Sequence, residues 1–469
     1  MPGIEHYTNL VLGAGTAGKV FGWTLAKQGE PTAVVERRWI GGACPNIACM
    51  PSKNVIQSAK VASLLARAAE FGIETQPFTI RMEGVRDRKR RMVEGNVQKH
   101  LKNFAESGAE LILGEARLAG PRTLEVKLND GGTRRVSADR LFLNLGTHAM
   151  IPEIPGLAAA KPMTHIEALE LGRLPDHLVI LGGGYVGVEF AQAMRRFGSR
   201  VTVIVRGRQL LSREDADVGE AMLQLFRDEG IDVLLNTDLT KVDGTSGSNI
   251  RLQVKQEGRE RTLDATDILV VTGRIPNTSG IGLEEAGVQL DGRGYISVND
   301  RLETTAMGVW AVGECAGSPQ FTHVSYDDFA IVHDNLNSRS RTTRGRLVPY
   351  CIFTDPELAR VGLNESEARQ RRIPYRVIRM PASDVLRAIT ISETRGFLKM
   401  LIEENGNQIL GFTAFIAGAD DLMAVVQTAM LNRMPFPDLR DAIFTHPTMA
   451  EALTLMLANV EVREYVRVG

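Results

Sequence analysis

The chain has 469 residues, more than one hydrophobic core usually organises, so about three domains of ordinary size are expected. Apolar residues make up 43% and charged residues 24%, proportions that exclude a disordered or fibrous chain. The formal net charge is -1, so the chain as a whole has no electrostatic attraction to nucleic acid or to an anionic membrane. Small molecules are therefore the expected partners.

The amino-terminal segment and the cysteines indicate the compartment. MPGIEHYTNLVLGAG lacks the basic start and apolar core of a signal peptide, and no stretch approaches about 18 uninterrupted apolar residues. The four cysteines are too few for a disulfide scaffold and lack the partners of a zinc site; they are Cys44, Cys49, Cys315 and Cys351. We expect a cytoplasmic protein without a resident metal, in which the close pair is catalytic and the other two cysteines belong to the core.

A glycine fingerprint follows the first strand-like run. Gly13, Gly15 and Gly18 lie between the apolar segments NLVL and TAVVE, and a helix-like run follows them. In a βαβ unit the first glycine permits a tight turn, the second lets backbone approach a pyrophosphate, and the third allows close helix–strand packing. The helix N-terminus then faces the phosphates. The alternative is a tight turn without a ligand, but the strand-turn-helix-strand context favours a dinucleotide site.

The next motif, GGACPNIACMPSKN, has four residues between Cys44 and Cys49. On a regular helix, residues five apart rise about 7.5 Å and point in different directions, too far for a disulfide. The helix must start late or bend: Pro45 suits the first helical position, making Cys44 the N-cap, and Pro51 disturbs the ladder near Ile47. A helix N-terminus favours a thiolate, so the pair is predicted to be redox-active rather than packed as small hydrophobes.

The segment from Arg81 to Leu113 is helix-like and contains the basic run RDRKRR, from Arg86 to Arg91. Such a run is found in nucleic-acid patches. Acidic residues nearby and the nearly neutral total charge favour a solvated helix face instead.

A second fingerprint has Gly182, Gly184 and Gly187 between HLVIL and VTVIV. Two βαβ units predict two bound dinucleotides. The strand after the second fingerprint places Arg206 19 residues past Gly187, where NAD-preferring proteins carry an acid. A guanidinium there, with Arg208 nearby, suits the 2′-phosphate of NADPH. NADPH is therefore expected over NADH, unless both arginines are simply solvated loop residues.

After Pro349 the pattern changes to strand-like segments followed by amphipathic helices, without a third fingerprint, which indicates a separate domain. Near its end, THPTMAEAL places His446 five residues before Glu451. A histidine can move protons to and from a thiol near neutral pH, and an acid on its other ring nitrogen would fix the tautomer. By itself a His-Pro at a helix edge is more often structural.

Together these segments resemble the class I pyridine nucleotide-disulfide oxidoreductases, the family of dihydrolipoamide dehydrogenase, glutathione reductase and mercuric reductase. The resemblance extends from about Leu10 to Glu451 and is most specific at GGACPNIACMPSKN. It implies an α/β fold class with two Rossmann-like domains, for FAD and NAD(P), and a C-terminal α+β dimerisation domain. The implied bounds are 1–150 and 277–348 for the FAD-binding domain, 151–276 for the NAD(P)-binding domain and 349–469 for the dimerisation domain.

The resemblance also implies roles for individual residues. Cys49 would be the thiol in charge transfer with the flavin, and Cys44 the interchange thiol that attacks substrate. Tyr185 would cover the flavin until nicotinamide displaces it. The implied FAD contacts are Gly13, Gly15, Gly18, Glu36, Lys53, Gly146 and Glu314. The implied NAD(P)H contacts are Gly182, Gly184, Tyr185, Gly187, Glu189, Arg206, Arg208 and Gly273, with Glu189 paired to Lys53.

Four positions depart from the family pattern. Asn144 and Leu145 stand where an Ala-Thr pair usually precedes Gly146, at the entry to the nucleotide domain, while VTGRIPN fits the exit. Glu314 replaces the aspartate that holds the flavin ribityl hydroxyls, and Phe444 replaces a second histidine. In the family the histidine base and its glutamate partner, here His446 and Glu451, come from the other subunit. The resemblance therefore implies a homodimer with two shared sites.

The implied reaction passes electrons from NADPH through FAD to the Cys44–Cys49 disulfide and then to a disulfide or another small acceptor, while His446 manages protons. One alternative is a metal-ion reductase like mercuric reductase, or a quinone reductase. Mercury is not expected, because that enzyme adds a C-terminal cysteine pair and this sequence ends in REYVRVG. Another alternative, of a different class, is a thiol redox sensor.

Overall fold

The computed structural model describes residues 3–463, so residues 1–2 and 464–469 of the predicted terminal domains, with most of REYVRVG, lie outside the described part. Its α-helices are α1 (Thr16–Lys27), α2 (Ala43–Asn46), α3 (Cys49–Ala66), α4 (Met82–Ser107), α5 (His165–Ala168), α6 (Tyr185–Phe197), α7 (Ala216–Asp228), α8 (Thr322–Leu336), α9 (Glu365–Gln370), α10 (Leu386–Thr390), α11 (Ala419–Leu431), α12 (Phe436–Arg440) and α13 (Ala452–Leu457). Within these residues, no helix has the length and apolar character needed to cross a membrane.

The strands, in chain order, are β1 (Glu5–Leu12), β2 (Thr32–Glu36), β3 (Glu110–Leu118), β4 (Thr123–Leu128), β5 (Thr133–Leu143), β6 (Thr147–Ala149), β7 (His177–Leu181), β8 (Arg200–Ile204), β9 (Asp232–Leu234), β10 (Thr237–Gly244), β11 (Ile250–Gln256), β12 (Arg259–Ala265), β13 (Asp267–Val270), β14 (Arg274–Pro276), β15 (Val309–Ala311), β16 (Tyr350–Ile352), β17 (Glu357–Gly362), β18 (Tyr375–Pro381), β19 (Phe397–Glu403) and β20 (Ile409–Ile416).

The first sheet carries the first fingerprint. Strand β1 lies between β2 and β5 and runs parallel to both, with Leu10 opposite Ala33 and Leu141. Strands β3 and β15 extend the parallel part, and β4 joins β3 to β5 in antiparallel pairing. Leu10 packs into the core on one face and Val11 into the core on the other, where it meets Phe21 of α1. Burial on both faces explains why β1 ends in a continuous apolar run.

The second sheet carries the second fingerprint. Its strands β13, β7, β8 and β9 are all parallel, with Ile180 opposite both Val203 and Leu269. Helix α6 connects β7 to β8, which completes a second βαβ unit, and the antiparallel strands β10, β11 and β12 form a separate meander.

The C-terminal region has a five-stranded antiparallel sheet in the order β16, β17, β20, β19, β18. Helix α11 packs on β17 and β20, and Phe412 and Ala414 of β20 are fully buried in this core. Helices beside an antiparallel sheet are an α+β arrangement. The predicted fold class, α/β with two Rossmann-like units and an α+β C-terminal region, is therefore confirmed.

Two chain crossings join the first and second sheets. Strands β6 and β14 pair antiparallel, with Thr147 opposite Pro276 and Ala149 opposite Arg274. The NLGTHAMIP and VTGRIPN segments thus form one ribbon between the two βαβ units. The predicted domain limits fall at this ribbon, and the numerical bounds stay predictions.

The helix predicted between Arg81 and Leu113 ends earlier, because α4 stops at Ser107. Gly108 follows with a φ of +78°, a left-handed conformation that commonly terminates helices, and β3 begins at Glu110. The basic run is also only partly solvated, since Lys89 is buried and paired with Glu170. The sequence alone gave no sign of this distant carboxylate.

Candidate active site

The dithiol segment is broken into two helices. Cys44 lies in α2 and Cys49 begins α3, while Ile47 and Ala48 between them leave the helical conformation. The break expected from the prolines is present, since Pro51 lies in the first turn of α3, where a missing N–H is tolerated. The two cysteines can therefore face each other although they are five positions apart in the sequence.

The prediction that Cys44 is an N-cap is wrong. Gly42 is the N-cap of α2, with a φ of +82° that glycine adopts without steric cost. A Cβ at Gly42 would lie 2.5 Å from the Cα of Gly15. The dithiol segment therefore packs backbone to backbone on the first fingerprint, and only glycines permit this approach.

The two thiols differ in acidity. They are close enough for a hydrogen bond, and that bond raises the pKa of Cys44 and lowers the pKa of Cys49 to about 6. The hydroxyl of Thr322, with its Oγ1 3.3 Å from the Cys49 Sγ, and the cation of Lys53 also favour the Cys49 thiolate. Cys49 is thus the thiol that ionises first, and Cys44 is the one kept protonated.

Lys53 and Glu189 form an ion pair, as the resemblance predicts. The Lys53 Nζ lies 2.8 and 2.7 Å from the carboxylate oxygens of Glu189, whose side chain is buried. The backbone N–H of Phe353 donates to the same carboxylate at 2.8 Å, and Lys53 lies over the Phe353 ring. Helices α3 and α6 and the C-terminal region are joined at this point.

Both fingerprints have the same geometry. A Cβ on Gly18 would lie 2.0 Å from the Gly13 carbonyl oxygen, and a Cβ on Gly187 would lie 2.0 Å from the Gly182 carbonyl oxygen. Helix α1 begins after Gly15 and α6 after Gly184, and neither N-terminus has a side-chain cap. Their first-turn N–H groups suit the phosphates of a dinucleotide.

Glu36 is buried at the end of β2 and supports the first fingerprint. Its carboxylate accepts hydrogen bonds from the backbone N–H groups of Ala14, Arg38 and Trp39 at 2.8 to 2.9 Å. A carboxylate oxygen can accept more than one bond, so this position also suits a ribose hydroxyl.

Asn144, a departure from the family pattern, links three segments. Its Oδ1 accepts from the N–H of Gly18 at 3.0 Å, and its Nδ2 donates to the carbonyl of Val312 at 3.0 Å. Gly146 and Gly273 both have positive φ, and Met150 donates to the Gly273 carbonyl at 2.9 Å. These two glycines shape the ribbon crossings.

Glu314 already has protein partners. Its Oε2 accepts a hydrogen bond from the Thr147 hydroxyl and lies 3.3 Å from the Arg274 Nε. Arg274 also donates to the Thr147 Oγ1 at 2.6 Å. The second carboxylate oxygen, Oε1, is the one that remains for a ligand hydroxyl.

Arg206 and Arg208 lie just beyond β8 and are both exposed. Among residues 3–463, neither forms an ion pair with a carboxylate. Two free cations at the carboxyl end of a strand in a βαβ unit suit an anionic group on the bound nucleotide.

His446 and Glu451 lie together near the C-terminus. The His446 Nδ1 lies 3.0 Å from both carboxylate oxygens of Glu451, which leaves Nε2 to face other groups. The His446 side chain is 65% exposed. The Glu451 carboxylate therefore orients the His446 ring, and the ring lies at the surface.

Two residues near the dithiol were missed from sequence. Thr322, at the start of α8, and Lys19, in α1, both interact with it; Lys19 also lies 3.0 Å from the His100 Nε2, and its charge acts on Cys44. The position of Lys19 directly after Gly18 was the sequence feature that could have predicted its place near the dithiol.

Cys315 is fully buried, which raises its pKa to about 11, and burial raises the pKa of Cys351 also.

Comparison with known proteins identifies the family. Residues 7–328 match the family model described as pyridine nucleotide-disulphide oxidoreductase, and residues 348–457 match the dimerisation domain of the same family. The chain belongs to the pyridine nucleotide-disulphide oxidoreductase family. The resemblance predicted from the cysteine and glycine motifs is confirmed, and the chain is a flavoprotein disulfide oxidoreductase that uses a pyridine nucleotide.

Several family members are similar over nearly the whole chain. The probable pyridine nucleotide-disulfide oxidoreductase RclA of Escherichia coli is 33% identical and covers 98% of this chain and 100% of its own length. A mercuric reductase of Acidithiobacillus ferrooxidans is also 33% identical, over 95% of this chain and 81% of its own length. A solved Cu(II) complex of HOCl-induced flavoprotein disulfide reductase RclA from Escherichia coli has a TM-score of 0.88 at 32% identity, covering 98% and 100% of the two chains.

Proposed function

We propose that this enzyme transfers electrons from NADPH through FAD to the Cys44–Cys49 disulfide, and from there to a disulfide or another small acceptor. The observation that carries the proposal is the arrangement of the dithiol: Cys44 and Cys49 face each other across the break between α2 and α3, with the Thr322 hydroxyl 3.3 Å from the Cys49 Sγ and the Lys53–Glu189 pair beside them, and this setting favours the Cys49 thiolate. One ionised and one protonated thiol are what a thiolate donor and an interchange nucleophile require.

FAD suits the first fingerprint, because α1 lacks a side-chain cap, Glu36 is buried at the end of β2, and the dithiol segment packs on Gly15. Bound FAD would supply the step that accepts a hydride from the nicotinamide and returns two electrons to the disulfide. NADPH suits the second fingerprint because of the free cations Arg206 and Arg208.

The protein residues then carry out thiol–disulfide exchange. The Cys44 sulfur, deprotonated by His446, attacks one sulfur of the substrate disulfide, and the other substrate sulfur leaves as a thiolate that His446 protonates. The Cys49 thiolate attacks the Cys44 sulfur of the mixed disulfide, which releases the second half of the substrate as a thiolate that takes a proton from solvent, and reforms the Cys44–Cys49 disulfide.

We also propose a homodimer in which His446 and Glu451 act on the dithiol of the second subunit. The matched dimerisation domain supports this, as do large exposed apolar side chains there, such as Leu431 and the fully exposed Ile443. The cysteine content supports a cytoplasmic location.

The test is NADPH oxidation by the purified protein against a panel of low-molecular-weight disulfides, quinones, Hg²⁺ and Cu²⁺; copper is included because RclA has been solved as a Cu(II) complex. The proposal predicts turnover with a disulfide that is lost in Cys44→Ser. Activity that survives Cys44→Ser would mean that the flavin reduces the acceptor directly. Slow turnover with every acceptor, together with oxidation-dependent binding of another protein, would indicate a redox sensor.

A further inference from the structure

The ring of Tyr185 is held by residues outside the glycine fingerprint. Its hydroxyl donates to the Oε1 of Glu214 at 2.8 Å. Its ring stacks on Tyr350, with centroids 5.5 Å apart and planes at 22°, and Tyr350 stacks on Phe321 at 5.4 Å and 6°. The stack thus joins the start of α6 to β16 and to the residue before α8, whose first residue, Thr322, contacts Cys49.

The acceptor, Glu214, is a buried carboxylate with a relative exposure of 5%. Tyr350 donates a second hydroxyl hydrogen bond to the same Oε1 at 2.6 Å, and the Arg360 Nε lies 3.2 Å from Oε2. Arg360 is itself buried and is also paired with Glu367 at 2.8 Å. The charge of Glu214 is therefore compensated by Arg360, and its position is fixed by groups that have no other described part in the site.

A hydrogen bond to a charged, buried acceptor is costly to break. If the Tyr185 ring rotates away, its hydroxyl bonds to water, but the Oε1 of Glu214 loses one of its two donors inside the protein. Burial also raises the pKa of Tyr185, so the hydroxyl stays protonated and keeps donating. Any ligand that displaces the ring must supply the free energy of this bond.

We propose that Glu214, fixed by Tyr350 and Arg360, is a positioning residue that latches Tyr185, so that nicotinamide binding has to break the Tyr185–Glu214 hydrogen bond. The inference rests on the proposed function, in which Tyr185 covers the flavin. The latch sets the affinity for the nicotinamide and leaves the later thiol chemistry unchanged. Tyr350 shares the acceptor oxygen with Tyr185 and therefore sets the strength of the latch.

The test compares Tyr185→Phe, Tyr350→Phe and the double variant with wild type, measuring KM for NADPH and kcat at a saturating acceptor concentration. Tyr185→Phe keeps the ring and removes the bond, so KM should fall about ten-fold with kcat little changed. In Tyr350→Phe, the Oε1 of Glu214 keeps one hydroxyl donor, Tyr185, instead of two, so that bond is costlier to break and KM should rise. The double variant should behave as Tyr185→Phe, because no latch is left to strengthen. The control is Tyr326→Phe, an exposed tyrosine on α8.

The outcomes separate the latch from the function. Unchanged or raised KM in Tyr185→Phe, with active wild type, overturns the latch alone. A Tyr350 effect that persists unchanged in the double variant also overturns it, because Tyr350 would then act independently of Tyr185. If the wild-type protein binds FAD but fails to oxidise NADPH with every acceptor tested, both the proposed function and the latch are overturned.

Discussion

At the scale of single residues, the acidity of Cys49 decides what the dithiol can do. Its neighbours favour the thiolate through a hydrogen bond from Cys44, a hydroxyl from Thr322 and the charge of Lys53. The two-helix arrangement creates this environment, because it brings Cys44 to the thiol that begins α3. The sequence predicted the break and the reactive pair, but not Thr322, which lies 273 residues further along the chain.

In the reduced protein, the rate of Cys49 alkylation by iodoacetamide should titrate with an apparent pKa of about 6, because the thiol is ionised above that pH. The rate should fall as pH decreases through 6. Thr322→Val removes one stabilising donor and should raise this pKa, whereas Thr322→Ser should not. Peptide mass spectrometry assigns the labelled cysteine. A midpoint at the ordinary thiol value of about 8.5 would contradict the described environment.

Arg206 should determine the choice of nicotinamide. Arg206→Glu replaces a free cation with an anion, so kcat/KM for NADPH should fall by about ten-fold or more while kcat/KM for NADH should not fall. Steady-state kinetics with both nucleotides measure this. The matched control is Arg259→Glu, an exposed arginine on β12. Equal losses with both nucleotides would show that Arg206 does not contact the 2′-phosphate.

At the scale of elements, both βαβ units could be predicted from the sequence. In each unit the third glycine of the fingerprint packs against the carbonyl oxygen of the first, so the same glycine spacing occurs twice. The prediction misplaced the end of α4, because Gly108 was not weighed as a helix terminator, and it made Cys44 the N-cap because it favoured Pro45 over Gly42. Asn144, a departure from the family pattern, forms a bridge between Gly18 and Val312. Such bridges depend on segments distant in sequence, so local pattern cannot predict them.

One of the ion-pair clusters between the second βαβ region and the C-terminal sheet contains a buried lysine. Lys399 on β19 is fully buried, and its Nζ lies 2.7 Å from Asp215, 2.9 Å from Asp217 and 3.2 Å from Glu365. A cation shared by carboxylates from α9 and the start of α7 fixes these elements against one another. Nothing in the sequence near Lys399 predicted this.

Lys399→Met should lower the free energy of unfolding by about 3–5 kcal/mol, because it leaves the buried carboxylate of Asp215 without a cation, whereas Asp217 and Glu365 keep Arg379 and Arg369. Differential scanning calorimetry measures the loss as a lower Tm. Lys255→Met, on the exposed side of β11, is the matched control and should change Tm little. Equal stability of the two variants would mean that the cluster does not hold the regions together.

At the scale of the whole molecule, the proposed catalytic base, His446, lies far along the chain from the dithiol, in the region that matches the family's dimerisation domain. The sequence suggested His446 and Glu451 from their motif, and their hydrogen bond is present. Whether the pair serves its own subunit or a second one is a property of the assembly.

Mixed dimers should answer this. Cys44→Ser and His446→Ala should each be nearly inactive alone, but unfolding and refolding them together should restore about a quarter of wild-type activity, because half the dimers then contain one intact site of two. Disulfide-dependent NADPH oxidation measures the recovery. No recovery, with dimers formed, would place both residues of a site in one subunit.

The most direct measurement is an anaerobic titration of the purified, FAD-containing protein with NADPH, followed by its visible absorbance. Two-electron reduction of the wild type should produce a long-wavelength thiolate-to-flavin charge-transfer band, which Cys49→Ser should lack. Cys44→Ser has no disulfide to reduce, so it should show the band before NADPH is added and lose it when NADPH reduces the flavin. A two-electron-reduced protein without this band would contradict the account.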